Sequence, residues 1–229
     1  MRKTLAVVQS DVIEFLNQPL PMFNLPSSPA ADRNKQAILD VLLRVLPIKD
    51  SMGSALEIAS GTGQHIAFFA AAMPHLAWQP TDRDAAALPW IAARVKETQQ
   101  TNVREPLRLD VLATQWPAQG AAFTELFDAV YCANMLHIAP WATCAALMQG
   151  SNRHLATGGV LITYGPYLED GVPTSPGNLA FDESLRGCDP AWGIRRLEEV
   201  ADVARLAGLA LHQRHVMPAN NLLLVWSRS

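Results

Sequence analysis

Cysteine is scarce in this chain and oddly counted. Cys132, Cys144 and Cys188 are the only three, and they show no C-x-x-C spacing, so neither a disulfide framework nor a zinc site is indicated. They fit a reducing cytoplasm, the expected location. Charge is thin as well: 18 Lys and Arg against 21 Asp and Glu leave a formal net charge of −3, and no basic run offers a footprint for a nucleic-acid backbone. Nucleic acid is set aside as a partner, which leaves small molecules or proteins. Long apolar runs are missing too. Nothing approaches the roughly 20 residues of a membrane span, and although Met1-Arg2-Lys3 looks like a signal-peptide start, Leu5 to Val8 is too short for its apolar core. There is no internal repeat, and nothing fixes an oligomeric state. What is there, 229 residues of which 49% are hydrophobic and 17% charged, suffices for one sizeable α/β domain but not comfortably for a second.

The stretch that organises the rest is Leu56-Glu57-Ile58-Ala59-Ser60-Gly61-Thr62-Gly63-Gln64-His65. An apolar strand pattern runs into a loop where Gly61 and Gly63 permit backbone angles and close approach that a side chain would forbid. A helix pattern from His65 to Met73 follows, and its first N–H groups face back toward the loop, where they suit a polar ligand. The dinucleotide fingerprint G-x-G-x-x-G fits poorly, because small residues fall at Ala59, Gly61 and Gly63 while Ile66 stands where the last glycine belongs.

Residues 1–31 read as an arm: a short helix over Val7 to Leu16, then Pro19, Pro21, Pro26 and Pro29 with Met22, Phe23 and Leu25 between them. Prolines at that density bar a helix, and the apolar residues suit a lid over the ligand or a plain surface wrap. The remaining chain, 32–229, reads as the ligand-binding domain. Asp32 can cap a helix from Arg33 to Val45 that ends at Pro47. A second strand, Leu76 to Asp82, ends in an acid suited to the two hydroxyls of a ribose, with Asp84 as its competitor. A helix from Arg83 to Thr98 leads to a short strand ending at Asp110, a group that can accept from an adenine amino group. Phe127 to Asn134 is a buried fourth strand, followed by Met135-Leu136-His137-Ile138 and a helix to Leu155. Val160 to Tyr164 is the fifth strand, with Tyr167 just beyond it. Leu168 to Gly193 reads as a long irregular region suited to acceptor recognition. A helix from Ile194 to Ala207 and an antiparallel pair, Leu209 to Val216 and Asn221 to Trp226, close the chain.

The glycine-loop stretch resembles motif I of the class I S-adenosyl-L-methionine (SAM) dependent methyltransferases, with Glu57 as the motif's acid and Ala59 in place of its first glycine. The likeness covers about residues 30–229. More narrowly the chain looks like a methyltransferase-like subfamily marked by Ser28-Pro29-Ala30-Ala31-Asp32-Arg33-Asn34-Lys35, the loop itself, Asn134-Met135-Leu136-His137-Ile138, and the Asn178 to Arg195 region. The resemblance implies a Rossmann-like seven-stranded, mostly parallel sheet with helices on both faces and an antiparallel last strand. SAM is the implied cofactor, held by Glu57, Ala59, Gly61, Gly63, Asp82, Asp110 and Asn134, with Arg33 or Asn34 at the methionine carboxylate. A bulky residue at Gly63 is then expected to abolish SAM binding while preserving the fold. The end of the fourth strand faces the reacting methyl group in such folds, which makes Asn134 and His137, with Tyr164 and Tyr167, the candidate catalytic residues. Methyl transfer to a small molecule would leave S-adenosylhomocysteine. The same electrophile allows a second outcome, attack of the ligand's own amine on its γ-carbon to close a four-membered, azetidine-2-carboxylate type ring and release methylthioadenosine. A third possibility is a SAM-binding module without turnover.

Overall fold

The computed structural model describes residues 25–46, 52–117 and 119–229; the arm's expected helix over Val7 to Leu16 and most of the expected lid lie outside the described residues. Five parallel strands are followed by an antiparallel closing pair. The strands are β1 (Gly53–Ile58), β2 (Leu76–Asp82), β3 (Leu107–Arg108), β4 (Phe127–Ala133), β5 (Leu155–Leu168), β6 (Arg195–Arg196), β7 (Leu209–Met217) and β8 (Asn221–Arg228). They lie in the order β3-β2-β1-β4-β5-β8-β7. β8 runs antiparallel to both β5 and β7, which is the expected arrangement. The two-residue β6 is an addition: it pairs with Tyr167–Leu168 at the far end of β5, off the main path.

Strand alternation sends successive side chains to opposite faces of the sheet, and both faces are covered. On one, β1, β2, β4, β5 and β8 bury Ala55, Trp78, Tyr131, Tyr164 and Leu223 against helices α1 (Pro29–Val45), α2 (Gln64–Ala72) and α3 (Leu88–Glu97). On the other, Leu56, Val130, Cys132, Leu161 and Trp226 pack against α4 (Ala142–His154) and α6 (Leu197–Leu206). Among the described residues no helix is long and apolar enough to cross a membrane.

Several boundaries differ from the sequence reading. β5 runs from Leu155 to Leu168 rather than from Val160 to Tyr164, so it takes in the expected Thr157-Gly158-Gly159 turn and Tyr167. Helix α1 starts at Pro29, because Ser28 caps it, its hydroxyl accepting from Ala31 N at 3.3 Å; a serine followed by proline at the first helical position outcompetes Asp32, which pairs with Lys35 instead. Helix α3 starts at Leu88, since Asp84 closes a turn of its own by accepting from Ala86 N at 2.9 Å. The long irregular region contains a thirteen-residue helix, α5 (Pro176–Cys188), capped by Ser175 through Asn178 N, the same Ser-Pro start as α1. Helix α6 begins at Leu197 rather than Ile194, because Arg195 and Arg196 are taken up by β6.

Candidate active site

A cavity of about 380 Å³ opens at the carboxyl ends of β1, β2 and β4, lined by Ala59, Gly61, Asp82, Asp110 and Asn134 among others. Such a crevice is where open parallel sheets bind ligands. Its floor is the turn between β1 and α2, where Ala59 (φ 57°), Gly61 (φ 57°) and Gly63 (φ 72°) all take the left-handed conformation. Ala59 tolerates that conformation as a strained non-glycine residue, a kind of strain that gathers at ligand sites. Ser60 holds the turn on β2: its N–H donates to Thr81 O at 2.8 Å, and its Oγ accepts from Thr81 N at 3.2 Å. Asp82 completes the brace, accepting from Gly61 N at 2.8 Å and from Asp84 N at 2.9 Å. Asp110 braces the next wall by accepting from Leu112 N at 3.0 Å, so Val111 and Leu112 form an apolar flank beside it.

Two members of the motif serve the cavity from behind. Gly63 is absent from the lining: a Cβ there would stand 3.1 Å from Ile91 Cα, so its role is to let α3 pack against the loop. Glu57 is buried under the turn, and burial, partly opposed by the Ser60 hydroxyl and reinforced by the charge of Asp82, pushes its carboxyl up to about 7. Its Oε2 has no hydrogen-bond partner among the described residues. Ile66, at the dinucleotide motif's third glycine position, is fully buried in the core.

The expected catalytic set divides across the sheet. Asn134, just past β4 with φ 55°, donates from its N–H to Tyr164 O at 2.8 Å and lines the cavity. His137 stands on the short turn Leu136–Ile138; its Nδ1 faces Gly165, where a Cβ would lie 3.4 Å from it and 3.8 Å from Asn134 Oδ1. Burial and the neighbouring Arg195 hold the His137 imidazole down at about 4, so it is neutral at pH 7, a hydrogen-bonding group more than a strong base. Arg195 fixes that turn by donating to Leu136 O at 3.0 Å and Ala139 O at 2.6 Å. Tyr164 lies on the opposite face under α1, where burial raises its hydroxyl's pKa against the opposing effects of Asn34, Asn221 and the charge of Arg33. Tyr167 points into the α4–α6 core, donating to Thr163 Oγ1 at 3.0 Å. The turn thus brings Asn134 and His137 together, but of the four expected catalytic residues Asn134 alone lines the cavity, while His137, Tyr164 and Tyr167 stand outside its lining.

Neither Arg33 nor Asn34 lines the cavity. Arg33 is exposed, and Asn34 Oδ1 is engaged by His65 at 2.7 Å. The lining includes residues that sequence reasoning passed over: Ser28, His65, Arg83, Met135, Ile138 and Thr143. His65 closes the motif that was singled out, and its place one residue into a helix that starts at the loop was the available signal. Arg94 had none; it reaches back from α3 to donate to Thr62 O at 2.8 Å and Pro26 O at 2.6 Å, tying the loop to the segment before α1. Among the described residues no group of three or more His, Cys, Asp or Glu could hold a metal ion.

A family model described as "Protein of unknown function (DUF938)" matches residues 25–228. The chain belongs to this family. Solved structures share the DUF938 chain's fold at low identity. One is an O-methyltransferase family 2 protein from Planctomyces limnophilus in complex with apigenin, 20% identical with a TM-score of 0.73, covering 87% of this chain and 58% of its own. Another is the S-adenosylmethionine-dependent methyltransferase SibL in its apo form, 19% identical with a TM-score of 0.70, at 87% and 55% coverage. A third is CalO1, a methyltransferase in calicheamicin biosynthesis in its SAH-bound form, 13% identical with a TM-score of 0.68, at 98% and 58%. The DUF938 chain therefore spans little more than half the length of these neighbours.

Proposed function

We propose that the cavity binds SAM and that the protein transfers its methyl group to a small molecule, leaving S-adenosylhomocysteine. The observation that carries this reading is the juxtaposition of the left-handed glycine turn with Asp82 and Asp110 at consecutive parallel strand ends, all on one cavity. Asp82, already oriented by Gly61 N and Asp84 N, is placed to accept from ribose hydroxyls. Asp110 and the Val111–Leu112 flank suit an adenine, polar at one edge and apolar on its face. Ser28, His65 and Asn134, which line the same cavity, are left for the amino acid portion, and Arg33, on the second turn of α1 outside the lining, is the candidate cation for its carboxylate. Bound there, SAM supplies a methyl group on a sulfonium. Asn134 and the neutral His137 act as polar groups that orient an attacking atom, and most of the rate gain comes from that positioning. The neighbouring folds of a SAM-dependent methyltransferase and of an SAH-bound one support the reading.

A second reading is favoured by size. About 380 Å³ sits at the low end of the roughly 300–1,000 Å³ of small-molecule sites, which leaves little volume for an acceptor beside SAM. In that reading the ligand's amine nitrogen bonds to its γ-carbon. The γ-carbon–sulfur bond breaks with its electron pair leaving on methylthioadenosine, and one proton is lost from the nitrogen. Incubating the purified protein with SAM alone and following adenosine-containing products by mass spectrometry tests both. Intact bound SAM is expected from the first reading, methylthioadenosine from the second, and no binding overturns both.

A further inference from the structure

Gln64, the first residue of α2, is buried, and its Oε1 meets two groups at once: Ser28 N at 2.5 Å and Thr62 Oγ1 at 2.8 Å. A backbone N–H can only donate, so Ser28 decides which end of the Gln64 amide faces it, and the oxygen must stand there. That oxygen carries no hydrogen, so the Thr62 hydroxyl has to donate its single proton to it as well. With that proton committed, Thr62 Oγ1 can offer only lone pairs to anything else. Ser28 is set the opposite way. Its N–H goes to Gln64 and its Oγ accepts from Ala31 N at 3.3 Å, while its hydroxyl proton has no acceptor among the described residues. Both residues line the cavity, Ser28 from the start of α1 and Thr62 from the glycine turn. Arg94 repeats the tie from α3 by donating to Thr62 O at 2.8 Å and Pro26 O at 2.6 Å, so the two sides are held at a fixed spacing.

Resting on the SAM reading above, we propose that Gln64 is a positioning residue: it presets Ser28 as a donor and Thr62 as an acceptor, and the pair selects a ligand ending in an α-amino acid, with the carboxylate on Ser28 and the ammonium on Thr62. An ammonium has only protons to give and a carboxylate only lone pairs to receive them. Each end of the zwitterion therefore meets the one hydroxyl that can pair with it, through a charge-assisted bond, and the two ends cannot exchange places. A hydroxyl whose proton was not fixed would serve either end and distinguish neither.

S-adenosylhomocysteine and methylthioadenosine share the adenosine and differ in the amino acid, so the ratio of their dissociation constants, read by calorimetry, isolates this edge of the cavity. Gln64→Ala is expected to weaken S-adenosylhomocysteine about tenfold and methylthioadenosine less than about twofold. Gln64→Glu, whose carboxylate accepts from the same two donors, should restore the ratio to within about threefold. A merely structural Gln64 would lower the melting temperature and weaken both ligands alike, which overturns the proposal. Decarboxylated S-adenosylhomocysteine tests the direction: the Ser28→Ala penalty should vanish for it while the Thr62→Val penalty remains, and the reverse pattern overturns the assignment. If Gln64→Ala does not fold, Thr62→Val must show the same loss confined to ligands that carry the amine, and an equal loss for methylthioadenosine overturns it. A wild type that binds neither ligand marks failure of the cofactor reading, seen before any variant is made. One that binds both equally keeps the adenosine in place and overturns this proposal alone.

Discussion

The two halves of the sheet present their ligand groups in different ways. In the β1–β3 half, each group lies within three residues of a strand end: Gly61 after β1, Asp82 at the end of β2, Asp110 after β3. In the β4–β8 half, the groups around Asn134 and the Tyr164 whose carbonyl it bonds come from several elements: His137 on a short turn, Phe181 on α5 with its ring 5.6 Å from that histidine, Arg195 on β6 and, beside Tyr164, Asn221 on β8. A site built from strand ends repeats wherever strands repeat, whereas one gathered across five elements is particular to the chain that gathers it. On the proposed SAM reading, the first half would hold the ligand's adenosine and the second would hold what distinguishes the reaction.

The sharpest way to break that contrast is at Gly63. Valine there combines a left-handed φ of 72° with a Cβ 3.1 Å from the Ile91 backbone, a loss of about 4 kcal/mol from strain and overpacking. This corrects the expectation that fold would survive: the melting temperature is expected to drop together with SAM affinity, and an unchanged melt with lost affinity would return Gly63 to the ligand. Glu57 comes next. Its folded carboxyl near 7 lies above the unfolded value near 4.5, so the stability held by the protonated form is complete below about pH 4.5 and is lost as pH rises through 7. That is on the order of 3 kcal/mol. Denaturation between pH 4.5 and 8 should show Glu57→Gln gaining on the wild type as pH rises, and parallel curves would mean that Glu57 is ionised in the fold. Asp82→Ala should weaken SAM binding by roughly 1.5–3 kcal/mol. Because it also strips Gly61 N and Asp84 N of their acceptor, calorimetric affinity and melting temperature should fall together, and intact affinity would remove Asp82 from the ribose.

The fold was legible because its signals are local and repeated: apolar strands, a glycine turn, acids at strand ends, and a closing hairpin. Ala59, Gly61, Asp82, Asp110 and Asn134, all named from sequence, line one cavity for the same reason. Helix α5 was hidden by its composition. Pro173, Pro176, Gly171 and Gly177 read as loop residues, yet Pro176 occupies the first helical position after a serine cap, where proline costs nothing. Only Leu185 of that helix is buried, so no apolar stripe announced it. His65 was hidden differently. Its partners Asn34 and Tyr131 lie 31 and 66 residues away, and pairing at such separations is a product of the fold, invisible to spacing along the chain.

The smallest expected effect separates the two tyrosines of β5. Tyr164 and Tyr167 are three residues apart and so leave the strand on opposite faces: Tyr164 goes to α1 and Tyr167 to the α4–α6 core. The Tyr167 hydroxyl donates to Thr163 Oγ1, which also accepts from Trp226 Nε1 at 3.0 Å. Burial raises its pKa far above the ordinary phenol value, so it stays protonated through any pH the fold survives and has no proton to exchange with a ligand. Tyr167→Phe removes one buried hydrogen bond and leaves Thr163 with its tryptophan partner, a loss of about 1 kcal/mol that a thermal melt would register. SAM affinity and product formation should not move. A variant that melted normally but lost turnover would place Tyr167 at the reacting atoms and put the chemistry on the α4–α6 side of β5, against the division of the two halves drawn from the cavity.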